Sequence, residues 1–233
     1  MRPPGWRERL SRGWLLRALL ARRGAILAPL GAAWQPGLRT IRATRRLVPL
    51  LMSDAAALQI QICVAAMRSR DGAMAEAGVL MGGSARLICD AKGDRPLHLF
   101  DVFETLQPAR AGYSAAEAEI RSHFGAIHGT RASVERLLAP YPNVHLHPGL
   151  FPQSAAGLAP NSFSFVHVDL DLPETMRAAL AFFRPRMVPG GILIGDDCND
   201  PAVRAVFTRF FAGRDDTLID LPWGQLMVIA TAA

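Results

Sequence analysis

From Ser53 onward, segments whose apolar residues recur at helical spacing alternate with short continuous apolar runs that read as strands. Ser53 is placed to cap a helix running through Leu58, Ile60, Ile62 and Val64 to about Met67, and Asp71-Gly72 then breaks the chain. Met74 to Leu80 reads as a first strand, and Gly82-Gly83-Ser84 opens a helix through Leu87, Ile88 and Ala91. Leu97 to Phe100 is a second strand closed by Asp101. Ser114-Ala-Ala-Glu117 has the form of a capping box for a helix reaching about Phe124, and a further helix covers about Ser133 to Leu138. Val144 to His147 make a third strand, and Phe163 to Val168 a fourth, ended by Asp169.

The last third is punctuated as clearly. Pro173 sits in the first turn of a helix with Met176, Ala179, Leu180 and Phe183 on one face, and Pro185 stops it. Gly190-Gly191 turns into the strand Ile192 to Ile194, closed by Asp196-Asp197. Asp200 caps and Pro201 begins a helix over 202–212, with Gly213 ending it. Thr217 to Leu221 and Gln225 to Ala230 read as two strands joined by Pro222-Trp223-Gly224.

Strands alternating with helices predict an α/β fold, a parallel sheet covered on both faces, with ligands bound beyond the carboxyl ends of its strands. Acidic residues occupy nearly every one of those ends: Glu76 with the glycine turn, Asp101, Asp169 with Asp171, and Asp196-Asp197. Folding does not require them there.

Half of the 233 residues are apolar and a fifth are charged, which excludes disorder and fits one catalytic domain with an appendage. The three scattered cysteines, Cys63, Cys89 and Cys198, exclude a disulfide scaffold and point to a reducing, cytoplasmic setting. Gly24 to Trp34, the longest early apolar candidate, is eleven residues with Pro29 inside it, too short to span a bilayer.

The net charge of +6 divides unevenly: residues 1–46 carry eleven arginines against Glu8, a balance of +10, whereas residues 47–233 carry −4. The chain therefore divides into a basic arm, 1–46, and a domain, 47–233. Trp6, Trp14, Leu15, Leu16, Leu19, Leu20, Ile26, Leu27 and Leu30 alternate with arginines in the arm, which suits a helix lying on an anionic membrane surface. A solvated or lid-forming extension and a targeting peptide stand beside that reading. Nucleic-acid binding lacks any accompanying zinc-finger spacing, recognition helix or stacking motif.

In Glu76-Ala-Gly78-Val-Leu-Met-Gly82-Gly83-Ser84, the glycines permit a tight turn lying against a ligand. The spacing is not that of a dinucleotide turn. Asp101, ending the second strand, is placed to accept the hydroxyl protons of a ribose.

These strings, with Leu99-Phe-Asp101-Val-Phe-Glu104, Phe165-Val-His-Val-Asp169-Leu-Asp171, Pro185 to Asp197 and Gly224-Gln225, resemble the macrocin-type O-methyltransferases. Those are S-adenosylmethionine-dependent enzymes that methylate sugar hydroxyls, and the likeness covers about residues 45 to 230 in unbroken order. It implies a class I methyltransferase (Rossmann-like) fold, a seven-stranded sheet with the last strand antiparallel, and magnesium assistance. By position, Glu76, Gly78, Gly82, Gly83 and Ser84 would hold the methionine end of the cofactor and Asp101 its ribose. Leu80-Met81, Thr105, Gln107, Pro173 and Cys198 depart from the family pattern and imply an altered substrate wall.

In the strand order the resemblance implies, the fourth and fifth strands are neighbours about 4.8 Å apart, so Asp169, Asp196 and Asp197 emerge together. Three carboxylates repel, a divalent cation relieves the repulsion, and oxygen ligands favour Mg²⁺ over zinc. The expected reaction is O-methylation of a small-molecule vicinal diol, in a sugar or catechol-like ring, with Asp169 as base. Asp171 is a further strand-end acid that also reads as a cap for the helix after it, His123 and His128 are alternative bases, and His167 reads as a satisfied core residue. His145-x-His147 offers two imidazoles without a third metal partner. Two other readings remain: an NAD(P)-dependent oxidoreductase, disfavoured by the glycine spacing and the missing Tyr-x-x-x-Lys pair, and an inactive module recruited to membranes. The acceptor's identity and assembly into a homo-oligomer are not legible.

Overall fold

A computed structural model describes residues 19–24, 31–106, 115–124, 129–158 and 162–232. The chain forms two units, 1–36 and 37–233. Of the first, residues 19–21 are helical and Ala32–Trp34 form a short 3₁₀ turn. Most of the amphipathic pattern in the arm, Ser114 of the predicted capping box and His128 lie outside the described residues.

The larger unit starts ten residues earlier than the charge pattern implies. Helix α1, Gln35–Leu47, buries Ile41 and Thr44 on one side, and Ile41 packs with Leu50, Ala57 and Leu87. Its arginines made it resemble the arm, but its apolar stripe belongs to the domain core. Helix α2, Asp54–Met67, is capped by Ser53, whose hydroxyl accepts from the Ala56 N–H, as the sequence predicts.

The domain continues as β1 (Ala73–Ala77), α3 (Gly83–Lys92), β2 (Leu97–Asp101), α4 (Ala115–Phe124), α5 (Arg131–Leu138), β3 (Val144–Pro148), β4 (Phe163–Val168), α6 (Pro173–Phe183), β5 (Met187–Gly195), α7 (Pro201–Phe211), β6 (Thr217–Asp220) and β7 (Leu226–Ile229). The strands form one sheet in the order β3-β2-β1-β4-β5-β7-β6. β7 runs antiparallel to both of its neighbours and β1 to β5 are mutually parallel, so the expected seven-stranded sheet with an antiparallel last strand is present.

Period-two alternation divides the sheet between two cores. Ala73, Ala75, Ala77, Val166, Val168 and Leu193 face α6 and α7, packing against Met176, Leu180, Phe183, Val203 and Phe207. Met74, Phe165 and Ile194 face the opposite layer, with Ile60, Val64 and Met67 of α2, Ile88 of α3, and Val134 and Leu138 of α5. Residues of the same parity as this second set, beyond its apolar part, carry the chemistry described below.

Two strand boundaries differ from the sequence reading by three residues or more. The first strand stops at Ala77, because Gly78 takes φ +89° and turns the chain out of the sheet. The fifth strand starts at Met187 and continues through Gly190-Gly191. There a bulge, with Gly190 at φ +73°, sets Met187 opposite Phe163 and Ile192 opposite Phe165. Among the described residues no helix is long and apolar enough to cross a membrane.

Candidate active site

At the carboxyl ends of β1, β4 and β5 three backbone segments meet. The Asp169 N–H donates to the Ala77 carbonyl at 2.8 Å, and the Asp196 N–H to the Val168 carbonyl at 2.9 Å, extending the ladder past the strands. Gly78 lies directly against Asp169: a Cβ placed on it would fall 1.6 Å from the Asp169 carbonyl oxygen. Only glycine permits this contact together with this φ.

Asp101 organises the turn after β1. Its Oδ2 accepts from the N–H groups of Val79 (2.7 Å) and Leu80 (2.8 Å), and its Oδ1 accepts from Phe103 at 2.7 Å. Burial pushes the carboxyl above its usual range while these N–H bonds pull the other way. The turn is strained: Leu80 (φ +51°), Phe103 (+45°), Asp171 (+55°) and Asp197 (+55°), all at strand ends, are four of the five non-glycine residues with positive φ among those described.

Gly82, at φ +87°, precedes α3, and a Cβ there would press on Leu137 at 3.0 Å. One on Gly83 would meet the Pro49 carbonyl at 2.6 Å. Packing within the protein thus accounts for both, in addition to any ligand. Ser84 is buried in the first turn of α3.

The acidic residues converge. Ligand atoms of Asp169, Asp171 and Asp197 lie within 4.8 Å of one another, as do those of His167, Asp169 and Asp196. The trio expected from the sequence is therefore distributed over two overlapping groups, with Asp169 common to both. Asp171 joins the cluster rather than acting only as a cap; the residue immediately before α6 is Leu172, with no side-chain cap bond. Asp196 is held on both oxygens: Oδ1 accepts from the Asp197 N–H at 3.0 Å and Oδ2 from the Gln225 amide at 3.2 Å. Gln225 Oε1 in turn accepts from the Trp223 indole N–H at 3.2 Å. Asp197 Oδ2 is buried with no hydrogen-bond partner.

Burial drives the Asp169 carboxyl well above the usual carboxylate range; the His167 charge opposes this, and the Asp196, Asp197 and Asp171 charges add to it. Burial and then the Asp197 charge lift Asp171 to about 7. Burial also raises Asp196, but the His167 ring and the Gln225 amide outweigh it and leave this carboxyl below its ordinary value. Three carboxyl groups of one type thus hold protons with different affinities in one site.

His167 is fully buried, as a core residue would be, but it is not satisfied. Its Nδ1 lies 2.8 Å from Glu76 Oε1, whereas its Nε2 has no hydrogen-bond partner and stands 3.7 Å from Asp196 Oδ2. Burial alone would lower its pKa, yet the Asp196 and Glu76 carboxylates raise it to about 10. Glu76, expected beside the cofactor, is itself fully buried, with His167 as its partner and Oε2 unbonded. The signal that could have linked them is parity: His167 precedes Asp169 by two residues and so shares its face of β4.

The family profile of Macrocin-O-methyltransferase (TylF) matches residues 51–227. The chain belongs to that family. It is 32% identical over 144 residues to the 8-demethyl-8-(2,3-dimethoxy-alpha-L-rhamnosyl)-tetracenomycin-C 4'-O-methyltransferase of Streptomyces olivaceus, covering 57% of this chain and 55% of the relative, so the chain spans about half the length of that curated relative. Among solved structures it is similar to the O-methyltransferase NovP, with a TM-score of 0.64, 22% identity and coverage of 77% and 81% of the two chains. The O-methyltransferase from Bacillus cereus in complex with SAH gives a TM-score of 0.52 at 18% identity, covering 93% of this chain and 99% of that one. At such identities these two likenesses concern the fold.

Two departures from the macrocin O-methyltransferase pattern can now be placed. Cys198 is fully buried among the residues packed under α6 and α7, and burial pushes its thiol up to about 12, so this change belongs to the core and not to a substrate wall. Pro173 begins α6 and serves as its first helical residue.

Proposed function

We propose that the protein is an S-adenosylmethionine-dependent O-methyltransferase that methylates one hydroxyl of a vicinal diol on a sugar, with Mg²⁺ held by Asp169, Asp196 and Asp197. The observation that carries this reading is the contact of Gly78 with the Asp169 backbone, which puts the glycine turn and the acidic cluster at one point of the sheet. Membership of the family and the sugar named for the Streptomyces relative support the substrate class.

The residues suit both groups. Gly78 lets the turn after β1 lie as bare backbone against the end of β4 beside the acidic cluster, and Asp101 holds that turn in shape. Toward the cation, the donors are carboxylate oxygens, one of them, Asp197 Oδ2, buried and unpaired, which fits a hard divalent ion. Such an ion would supply Lewis acidity that eases loss of a hydroxyl proton.

The chain's own part is to orient and to move that proton. Asp196, held ionised by Gln225 and the His167 ring, and Asp197 orient the diol. Asp169, where the glycine turn meets the acidic cluster, accepts the proton from the reacting hydroxyl. Asp101, held at the end of β2 by its N–H bonds to the turn, is the carboxylate nearest that turn and would accept from a ribose hydroxyl.

The test is calorimetry with S-adenosylmethionine and NADH, followed by methyl transfer to free and nucleotide-linked deoxysugars with and without Mg²⁺. Binding of S-adenosylmethionine alone, turnover that needs Mg²⁺, and an Asp169→Asn variant that binds the cofactor but does not turn over would support the reading. Binding of NADH alone, or full turnover by Asp169→Asn, would overturn it.

A further inference from the structure

The face of the sheet toward α2 and α3 is apolar at Met74, Phe165 and Ile194, so packing there calls for hydrocarbon. One step further along the same face, Glu76 pairs in register with His167, and His167 with Ile194, two residues before Asp196. A polar chain results across four strands: Glu76 to His167 at 2.8 Å, His167 to Asp196 at 3.7 Å, Asp196 to Gln225 at 3.2 Å and Gln225 to Trp223 at 3.2 Å. Both Glu76 and His167 are fully buried, and each keeps one polar atom, Oε2 and Nε2, without a hydrogen bond. Such an arrangement costs stability in a dry interior and calls for a functional reason.

We infer that His167 is a positioning residue: held at Nδ1 by Glu76, it braces Asp196 from beneath and, with Gln225 on the other side, fixes that carboxylate toward the cation. Glu76 then serves the site through the histidine rather than by touching the cofactor. At 3.7 Å the ring and the Asp196 carboxylate are ion-pair neighbours rather than hydrogen-bonded, and the role is that of an outer partner whose removal weakens metal binding without removing a ligand. This role rests on the cation reading of the cluster.

The experiment is Mn²⁺ titration, followed by electron paramagnetic resonance, of the full chain and of His167→Gln, His167→Leu and Glu76→Gln. Melting temperature and affinity for S-adenosylhomocysteine are measured on the same samples. His167→Gln, which keeps one donor, should bind Mn²⁺ about tenfold more weakly and His167→Leu more weakly still, with Glu76→Gln near the former. Affinity for S-adenosylhomocysteine should stay within about threefold throughout, a separation that a merely structural defect would not produce. If His167→Leu does not fold, His167→Gln decides alone. Wild-type Mn²⁺ affinity in the folded His167 variants overturns the positioning role, as does a parallel loss of S-adenosylhomocysteine binding. A wild-type chain that binds no Mn²⁺ overturns the cation reading and this role with it.

Discussion

Replacing Gly78 by alanine tests whether the meeting of the glycine turn with Asp169 is as tight as the structure shows. Two costs add. The backbone at φ +89° is one that L side chains rarely adopt, a penalty of about 1–2 kcal/mol. The new methyl would also lie 1.6 Å from the Asp169 carbonyl oxygen and 2.6 Å from its carbon. Neither atom belongs to a flexible side chain, so the ends of β1 and β4 must part, an overpacking cost of about 1–3 kcal/mol. A combined loss of about 4 kcal/mol lowers the melting temperature by roughly 8–16 °C for a chain of this size. Gly213→Ala supplies the control: its φ is +74°, but nothing lies within 4 Å of the added methyl, so only the conformational cost remains. That cost is about 1 kcal/mol, or roughly 2–4 °C. Circular dichroism melts of both variants, with calorimetric titration of S-adenosylmethionine, decide the matter. If Gly78→Ala melts like Gly213→Ala and binds the cofactor as the wild type does, the close approach of the turn to Asp169 is refuted.

Asp101→Ala removes the acceptor of three backbone N–H bonds and should lower stability by about 2–4 kcal/mol as well as weaken cofactor binding, read by chemical denaturation and calorimetry; unchanged stability would argue that the carboxylate does not organise the turn. Arg184, 6% exposed, forms a two-bond pair with Asp216, 1% exposed, so Arg184→Ala should cost about 2–3 kcal/mol by leaving a buried carboxylate with only its bonds from Thr231; a loss below about 1 kcal/mol would refute that. His98, buried and stacked against His145 and His147, is held down to about 4 by burial and then by those neighbours' charges. Because its folded pKa lies below its unfolded value near 6.5, its contribution is intact above pH 6.5 and is lost as pH falls toward 4, about 3 kcal/mol in all. His98→Phe should flatten the stability profile in that window, and an unchanged slope would remove His98 as its source.

Where the sequence was legible, the information was local. Ser53 and Asp200 announced helix starts because a side-chain oxygen satisfies N–H groups two or three residues ahead, and the observed caps to Ala56, Ala202 and Val203 are those bonds. The acids at strand ends were readable because a strand is a short apolar run and its end is where polarity returns. Asp169, Asp196 and Asp197 could thus be named, and the strand order that brings them together came from the family likeness. Composition groups residues 37–46 with the arm because arginines on the outer face of α1 dominate it, while Ile41 and Thr44, turned inward, decide where that helix packs.

What only the tertiary structure decided is which residues share a surface across strands. Glu76 and His167 are 91 positions apart, and nothing in either neighbourhood specifies their pairing. It follows from the register of β1 against β4, where a slip of one strand by one residue would turn that strand's side chain to the opposite core and separate the pair. The same applies to Gln225, brought to Asp196 because β7 inserts antiparallel beside β5. Local sequence sets the period of each element; the relative phase of the elements is set by burial of the whole sheet, and the candidate site is built from that phase.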